Sequence, residues 1–182
     1  MLLLVKNRTL VENREKTYLT ATVAAAGTTL SVKAVDSNAW ANNDYLIVGE
    51  IGTANAEVLQ VNGAVSDGVS LTIDNNGSGG ARYAHAIDEP VYRIDYNQIR
   101  FFHNTTDSTT GTTTLTTIEL QPDDIYTRYE DDLNTTGFGF VRFFNSSTNA
   151  LGVFSDAIPY EGQEQRALTR LVTKVRTLTN ER

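Results

Sequence analysis

The sequence predicts a mainly β fold: two small antiparallel β-sandwich or barrel domains, preceded by an N-terminal arm and closed by one C-terminal amphipathic α-helix. Three observations predict it. Short runs of β-branched and aromatic residues recur along most of the chain, several with strict period-two alternation, as in Thr28-Thr29-Leu30-Ser31-Val32 and Val69-Ser70-Leu71-Thr72-Ile73. Gly, Asn and Asp clusters separate these runs, among them Ala26-Gly27, Asn62-Gly63, Asp67-Gly68 and Asn75 to Gly80, and they supply the positive-φ residues that tight connections need. The period changes to helical spacing only after Pro159.

The arm comes first, residues 1–18. Met1 to Val5 is apolar and Lys6 to Lys16 is charged, a pattern that suits either a first strand of the protein's own domain or an arm added to a neighbour's sheet edge. Residues 19–95 form the first β-domain. Its runs are Tyr18 to Val23, Thr28 to Val32, Tyr45 to Val48, Ala56 to Val61, Val69 to Ile73 and Pro90 to Ile94, each expected to bury one face. The second β-domain covers residues 96–160. Its runs are Arg100 to His103, Thr113 to Leu120, Tyr126 to Glu130, Gly137 to Asn145 and Gly152 to Ser155. Phe138, Phe140, Arg142 and Phe144 alternate with Gly139, Val141 and Phe143, so this strand carries large side chains on both faces and is expected to be central. Asn104 to Thr114 is a Thr-, Ser- and Gly-rich loop with almost nothing to bury. In residues 161–182, Leu168, Leu171, Val172, Val175 and Leu178 fall on one helical face and Arg166, Arg170 and Lys174 on another. This helix either caps the protein's own β-domain or docks on another subunit.

Composition narrows the function classes. A length of 182 residues holds one large or two small cores. Cysteine is absent, which removes disulfides, thiolate metal sites and thiol nucleophiles together. The net charge of -7 and pI near 4.8 argue against nucleic acid as a partner. Residues 161–182 carry +2, leaving -9 for the rest, so the C-terminal segment is a basic element on an acidic body. No signal h-region is recognisable and no run approaches the roughly 20 apolar residues of a membrane span, so a soluble protein made in the cytoplasm, with no membrane partner, is expected.

Catalytic material is sparse. The two histidines, His85 and His103, have no ligand spacing around them. His85 is expected to bond to nearby loop backbone, and His103 to end a strand without a functional role. Asp123-Asp124 and Glu130-Asp131-Asp132 lack the calcium-loop pattern and are expected to be solvated turn residues. Gly77 to Gly80 lacks the Lys and Ser/Thr of a phosphate-binding loop. The expectation is a protein that is not an enzyme and uses no cofactor or metal.

Leu19 to Val23, Thr28 to Val32, Asn43 to Glu50, Ala56-Glu57-Val58, Tyr83-Ala84-His85 and Pro90 to Arg93 together resemble a β-module recurring in virion proteins of tailed bacteriophages. Tyr96 to Phe102, Phe140 to Asn145 and Phe154 to Pro159 look like later strands of the fibronectin type III-like sandwich that often follows it. The resemblance spans residues 19–160. It implies a virion structural protein at the head-to-tail neck or adjoining tail, made in the host cytoplasm, a homo-oligomer in the assembled particle that contacts neighbouring head, neck or tail subunits. The alternatives are a capsid decoration protein, or a carbohydrate or host-receptor binding module built on Trp40, Tyr45, Tyr83 and the second domain's aromatics. The expected protein interfaces are the arm, at Leu2, Leu3, Leu4 and Val5, and the C-terminal helix, at Arg166, Leu168, Arg170, Leu171, Lys174, Val175 and Leu178.

Overall fold

A computed structural model describes residues 1–160 apart from residue 13, residues 35–39 and residues 76–78. The protein is mainly β, as the sequence predicts. The strands are β1 (Leu2–Lys6), β2 (Lys16–Tyr18), β3 (Thr29–Ser31), β4 (Tyr45–Val48), β5 (Glu57–Val61), β6 (Ser70–Asp74), β7 (Pro90–Ile94), β8 (Gln98–Asn104), β9 (Thr113–Glu119), β10 (Tyr126–Glu130), β11 (Phe138–Phe144) and β12 (Ile158–Pro159). A 3-10 turn, Asn7–Leu10, follows β1. The expected C-terminal helix lies outside the described residues.

β2, β7, β4, β5, β6 and β3 form one antiparallel sheet in that order. The sheet curls until its edge strands meet: Leu19 bridges Val32, Thr20 N–H donates to the Ser31 carbonyl at 2.8 Å, and Lys33 N–H donates to the Tyr18 carbonyl at 2.9 Å. Curling removes the unpaired edges that make open sheets prone to association. Alternation then sorts the side chains. Leu46 and Val48 point into the barrel with Leu30, Leu59, Val61, Leu71, Ile73, Val91 and Trp40, whereas Tyr45 and Ile47, on the opposite face of β4, point out. At Ala26-Gly27 it is Ala26 that takes the left-handed conformation, with φ 65°. The chain is crowded here, since a Cβ on Gly80 would lie 2.3 Å from the Ala26 carbonyl oxygen.

Outward does not mean exposed. Tyr45, Ile47, Tyr92 and Ile94 leave the barrel and pack against Leu3, Leu10, Ile99, Phe101, Leu120 and Val141 of the second module in one apolar cluster. All four residues of β4 are therefore buried. That second module is a sandwich of a four-stranded sheet, in the order β12, β11, β8, β9, facing the two-stranded ribbon β1–β10. As its two-sided bulk predicts, β11 is an interior strand, paired with β8 on one side and β12 on the other. Its second face is covered by Phe154, whose ring meets Phe102 and Phe140 at centroid distances of 5.1 and 6.1 Å. The polar segment after β8 folds on itself, with Asn104 Nδ2 donating to the Ser108 and Thr110 carbonyls.

The expected arm of residues 1–18 is not a separate element. β1 pairs along its whole length with β10, Leu2 opposite Glu130 and Lys6 opposite Tyr126, so it belongs to the second module. β2 pairs with β7 and belongs to the barrel. The second module is thus discontinuous, built from the chain's first residues and residues 96–160. The reason is burial: Leu3 is 1% exposed, its methyl groups filling the space that the missing side chain of Gly139 leaves on β11. Gly152 to Ser155 is not a regular strand either. It runs beside β11 through two backbone bonds, Gly152 N–H to the Phe143 carbonyl and Ser155 N–H to the Val141 carbonyl, next to an isolated bridge at Leu151, and the regular pairing moves to Ile158–Pro159.

Candidate interaction surfaces

The residues expected at protein interfaces fall into three groups. Leu2 and Leu4 are 51% and 47% exposed, side by side on the outer face of β1. Leu3 points inward and Val5 is half-buried, so neither contributes to that outer face. Arg166, Leu168, Arg170, Leu171, Lys174, Val175 and Leu178 lie outside the described residues. The leucine pair stands on β1, which among the described residues pairs with β10 alone, with Arg128 and Glu130 as its cross-strand neighbours. Leu133, in the turn after β10, is also exposed.

The ribbon is fixed from behind by polar contacts that the sequence does not advertise. Asn7 is fully buried; its Nδ2 donates to the Gln121 and Asp124 carbonyls at 2.7 and 3.0 Å, and its Oδ1 accepts from the Thr127 hydroxyl at 2.7 Å. Asp131 is not the solvated turn residue expected. It is 1% exposed and accepts from the Tyr160 hydroxyl at 2.6 Å, from Asn134 Nδ2 at 2.8 Å and from the backbone amides of Leu133 and Asn134. Burial alone would push its carboxyl up, but these donors outweigh it and hold the group below the usual carboxylate range. Burial and the facing Asp131 together push the Tyr160 phenol above its ordinary value. Asp124 behaves as a turn residue, accepting from the Ile125 amide and pairing with Arg128.

His85 departs from expectation in its partners. Its backbone pairs with Val23, but its ring bonds to carboxylates: Nε2 lies 2.9 Å from Glu57 and Nδ1 lies 2.8 Å from Glu89. Glu57 also accepts from the Arg82 and Tyr83 amides and Glu89 from the Ala86 amide, so the three side chains tie the 82–89 connection to β5 and β7. Burial opposes a charged ring, and the two carboxylates outweigh it, raising His85 above its ordinary value. Both ring nitrogens are committed, which leaves no lone pair for a substrate or metal. A charged residue within the apolar run Ala56-Glu57-Val58-Leu59 was the available signal that a buried polar partner would be needed. His103 donates through Nε2 to the Thr136 carbonyl, 2.8 Å away, and packs edge-on against Tyr160. Because the acceptor there is a carbonyl, Nε2 is the protonated nitrogen.

Three further features bear on binding. Trp40 and Tyr45 are buried, so neither offers a ring face to a sugar. Among the described residues no group of three or more His, Asp or Glu is placed to hold a metal ion, and no helix is long and apolar enough to cross a membrane. Two clefts flank the junction of the modules. One, of about 300 Å³, runs between the Glu57–Val58 edge and the segment Ile118 to Asp123. The other, of about 410 Å³, lies between the 3-10 turn, Glu50–Ile51, Tyr92 and Ile125. The chain matches no known family model and no curated protein.

Proposed function

We propose that the protein is a non-enzymatic structural subunit of a tailed-phage virion, in the head-to-tail neck or the adjoining tail, whose role is to bind neighbouring virion proteins and further copies of itself. The observation that carries this reading is the exposed pair Leu2 and Leu4, held on the outer face of a strand that is rigidly anchored from behind through Leu3 and Asn7. Anchoring lowers the ordering cost of association, so the apolar area still exposed converts more fully into affinity. Covering what remains of each leucine is worth about 1 kcal/mol, a small increment per subunit that a closed ring repeats at every contact. The resemblance of the Tyr83-Ala84-His85 and Pro90 to Arg93 runs to phage virion modules supports the same reading, and the basic apolar-striped sequence of residues 161–182 supplies a second element for it.

The test is the double variant Leu2→Lys, Leu4→Glu, whose new charges face Glu130 and Arg128 across the ribbon. It keeps Leu3 and the β1–β10 pairing, so the isolated protein is expected to melt close to the parent while its incorporation into phage particles collapses. Incorporation at the parental copy number overturns the reading. Counting copies by particle imaging separates the neck, with about a dozen or fewer by cyclic symmetry, from capsid decoration, with hundreds.

A further inference from the structure

On an acidic body of net charge -9 over residues 1–160, three cations converge on one cleft. Lys6, Arg8 and Lys16 line the 410 Å³ cleft beside the 3-10 turn, and none of them makes an ion pair with a described residue. Lys16 is placed by strand register. It stands directly opposite Tyr92 on β7 and two residues before Tyr18 on β2, so all three share the barrel's outer face. Its ammonium lies 4.8 Å from the Tyr18 ring centroid and 4.9 Å from that of Tyr92, a seat between two aromatic faces. A bond to Tyr18, helped by Tyr92 and opposed by slight burial, holds it above its ordinary value, so it stays charged throughout the physiological range. The floor is apolar: Val11, Ile51 and Tyr92, with Ile125 half-exposed at the rim. Glu12 and Glu50 complete the lining, Glu50 facing the Tyr92 hydroxyl at 3.4 Å.

We infer that this cleft is a docking site for an acidic, partly apolar segment of a partner protein, in which a carboxylate meets Lys16, Arg8 and Lys6 while an adjoining aliphatic side chain rests on Val11, Ile51 and Ile125. Charge complementarity names the occupant. The protein's own segment 161–182 carries +2 overall, a poorer match to the three cations than an acidic segment. A polyanion such as nucleic acid spans far more than one cleft and meets the -9 of the surrounding body, whereas a short peptide samples only the local positive field, since charges beyond about one Debye length, roughly 8 to 10 Å, are screened. The apolar floor adds affinity for an aliphatic side chain that a phosphate cannot use. The inference stands on the cleft and does not depend on the virion reading.

The experiment titrates the full 182-residue chain, isotopically labelled for NMR, with the peptide acetyl-Leu-Asp-Leu-Glu-Leu-amide and with its uncharged counterpart acetyl-Leu-Asn-Leu-Gln-Leu-amide. The acidic peptide is expected to shift resonances of residues 6–16, Ile51, Tyr92 and Ile125, and to bind at least about tenfold more tightly than the amide version. Arg8→Gln and Lys6→Gln, which remove exposed cations that make no ion pair with a described residue, are each expected to weaken it about threefold to tenfold, with parental melting temperatures. Equal binding of the two peptides, shifts located elsewhere, unchanged binding by both variants, or a short DNA duplex binding the cleft more tightly than the acidic peptide would each overturn the inference.

Discussion

Replacing Leu3 with alanine separates the anchoring role of β1 from its outer face. Leu3 is 1% exposed, and its two terminal methyls lie 3.1 and 3.3 Å from the position a Cβ would take on Gly139. The substitution removes three carbons, a transfer loss of about 2.4 kcal/mol at about 0.8 kcal/mol each. The wall opposite is a glycine, which has no side chain to relax into the gap, so most of the cavity persists and raises the total to about 3 to 4 kcal/mol. For a chain of this size that corresponds to a fall in melting temperature of roughly 6 to 15 °C. Leu2→Ala and Leu4→Ala, at half-exposed positions, are each expected to cost about 1 kcal/mol or less. The assay is urea denaturation and calorimetry of the isolated protein with the three variants side by side. A Leu3→Ala melting temperature within about 2 °C of the parent, or equal losses at Leu2 and Leu3, would refute the placement of β1 in the protein's own sandwich.

Two further outcomes follow from the buried polar groups. His85 has a folded value raised above 6.5, so the stability its imidazolium contributes is complete below about pH 6.5 and fades as pH climbs through the folded value. Glu89 is lowered from 4.5, the bonds from the Ala86 amide and His85 outweighing burial; its contribution is complete above about pH 4.5 and fades as pH falls through the folded value. The cluster is therefore strongest between those limits. Urea midpoints should decline from about pH 6 to pH 9 in the parent and decline less in His85→Gln, while identical profiles would contradict a charged ring between Glu57 and Glu89. Asn7→Ala strands the Gln121 and Asp124 carbonyls and the Thr127 hydroxyl and should cost about 2 to 4 kcal/mol. Asn7→Ala melting like the parent would show that water replaces the side chain at no cost.

Local pattern was enough to delimit several strands. β4, β7 and β10 begin and end where the β-runs Tyr45 to Val48, Pro90 to Ile94 and Tyr126 to Glu130 predict, because β-branched and aromatic composition and flanking turn residues are properties of adjacent positions. The two-sided bulk of Phe138 to Phe144 likewise announced an interior strand. Pairing across the chain was not legible. An apolar pentapeptide at Leu2–Lys6 suits a sheet edge in this molecule or in another, and only the complementarity of Leu3 with Gly139 and the reach of Asn7 to Thr127 place it opposite β10, more than a hundred residues away. The same holds for charge. Composition showed an acidic molecule, but Asp131 looks like any other acid in the sequence and is buried, while Lys6, Arg8 and Lys16 look like a solvated run and meet at one cleft. Alternation tells each residue which face of its own strand it occupies, whereas what lies across that face is decided by strands brought together only when the whole sheet closes.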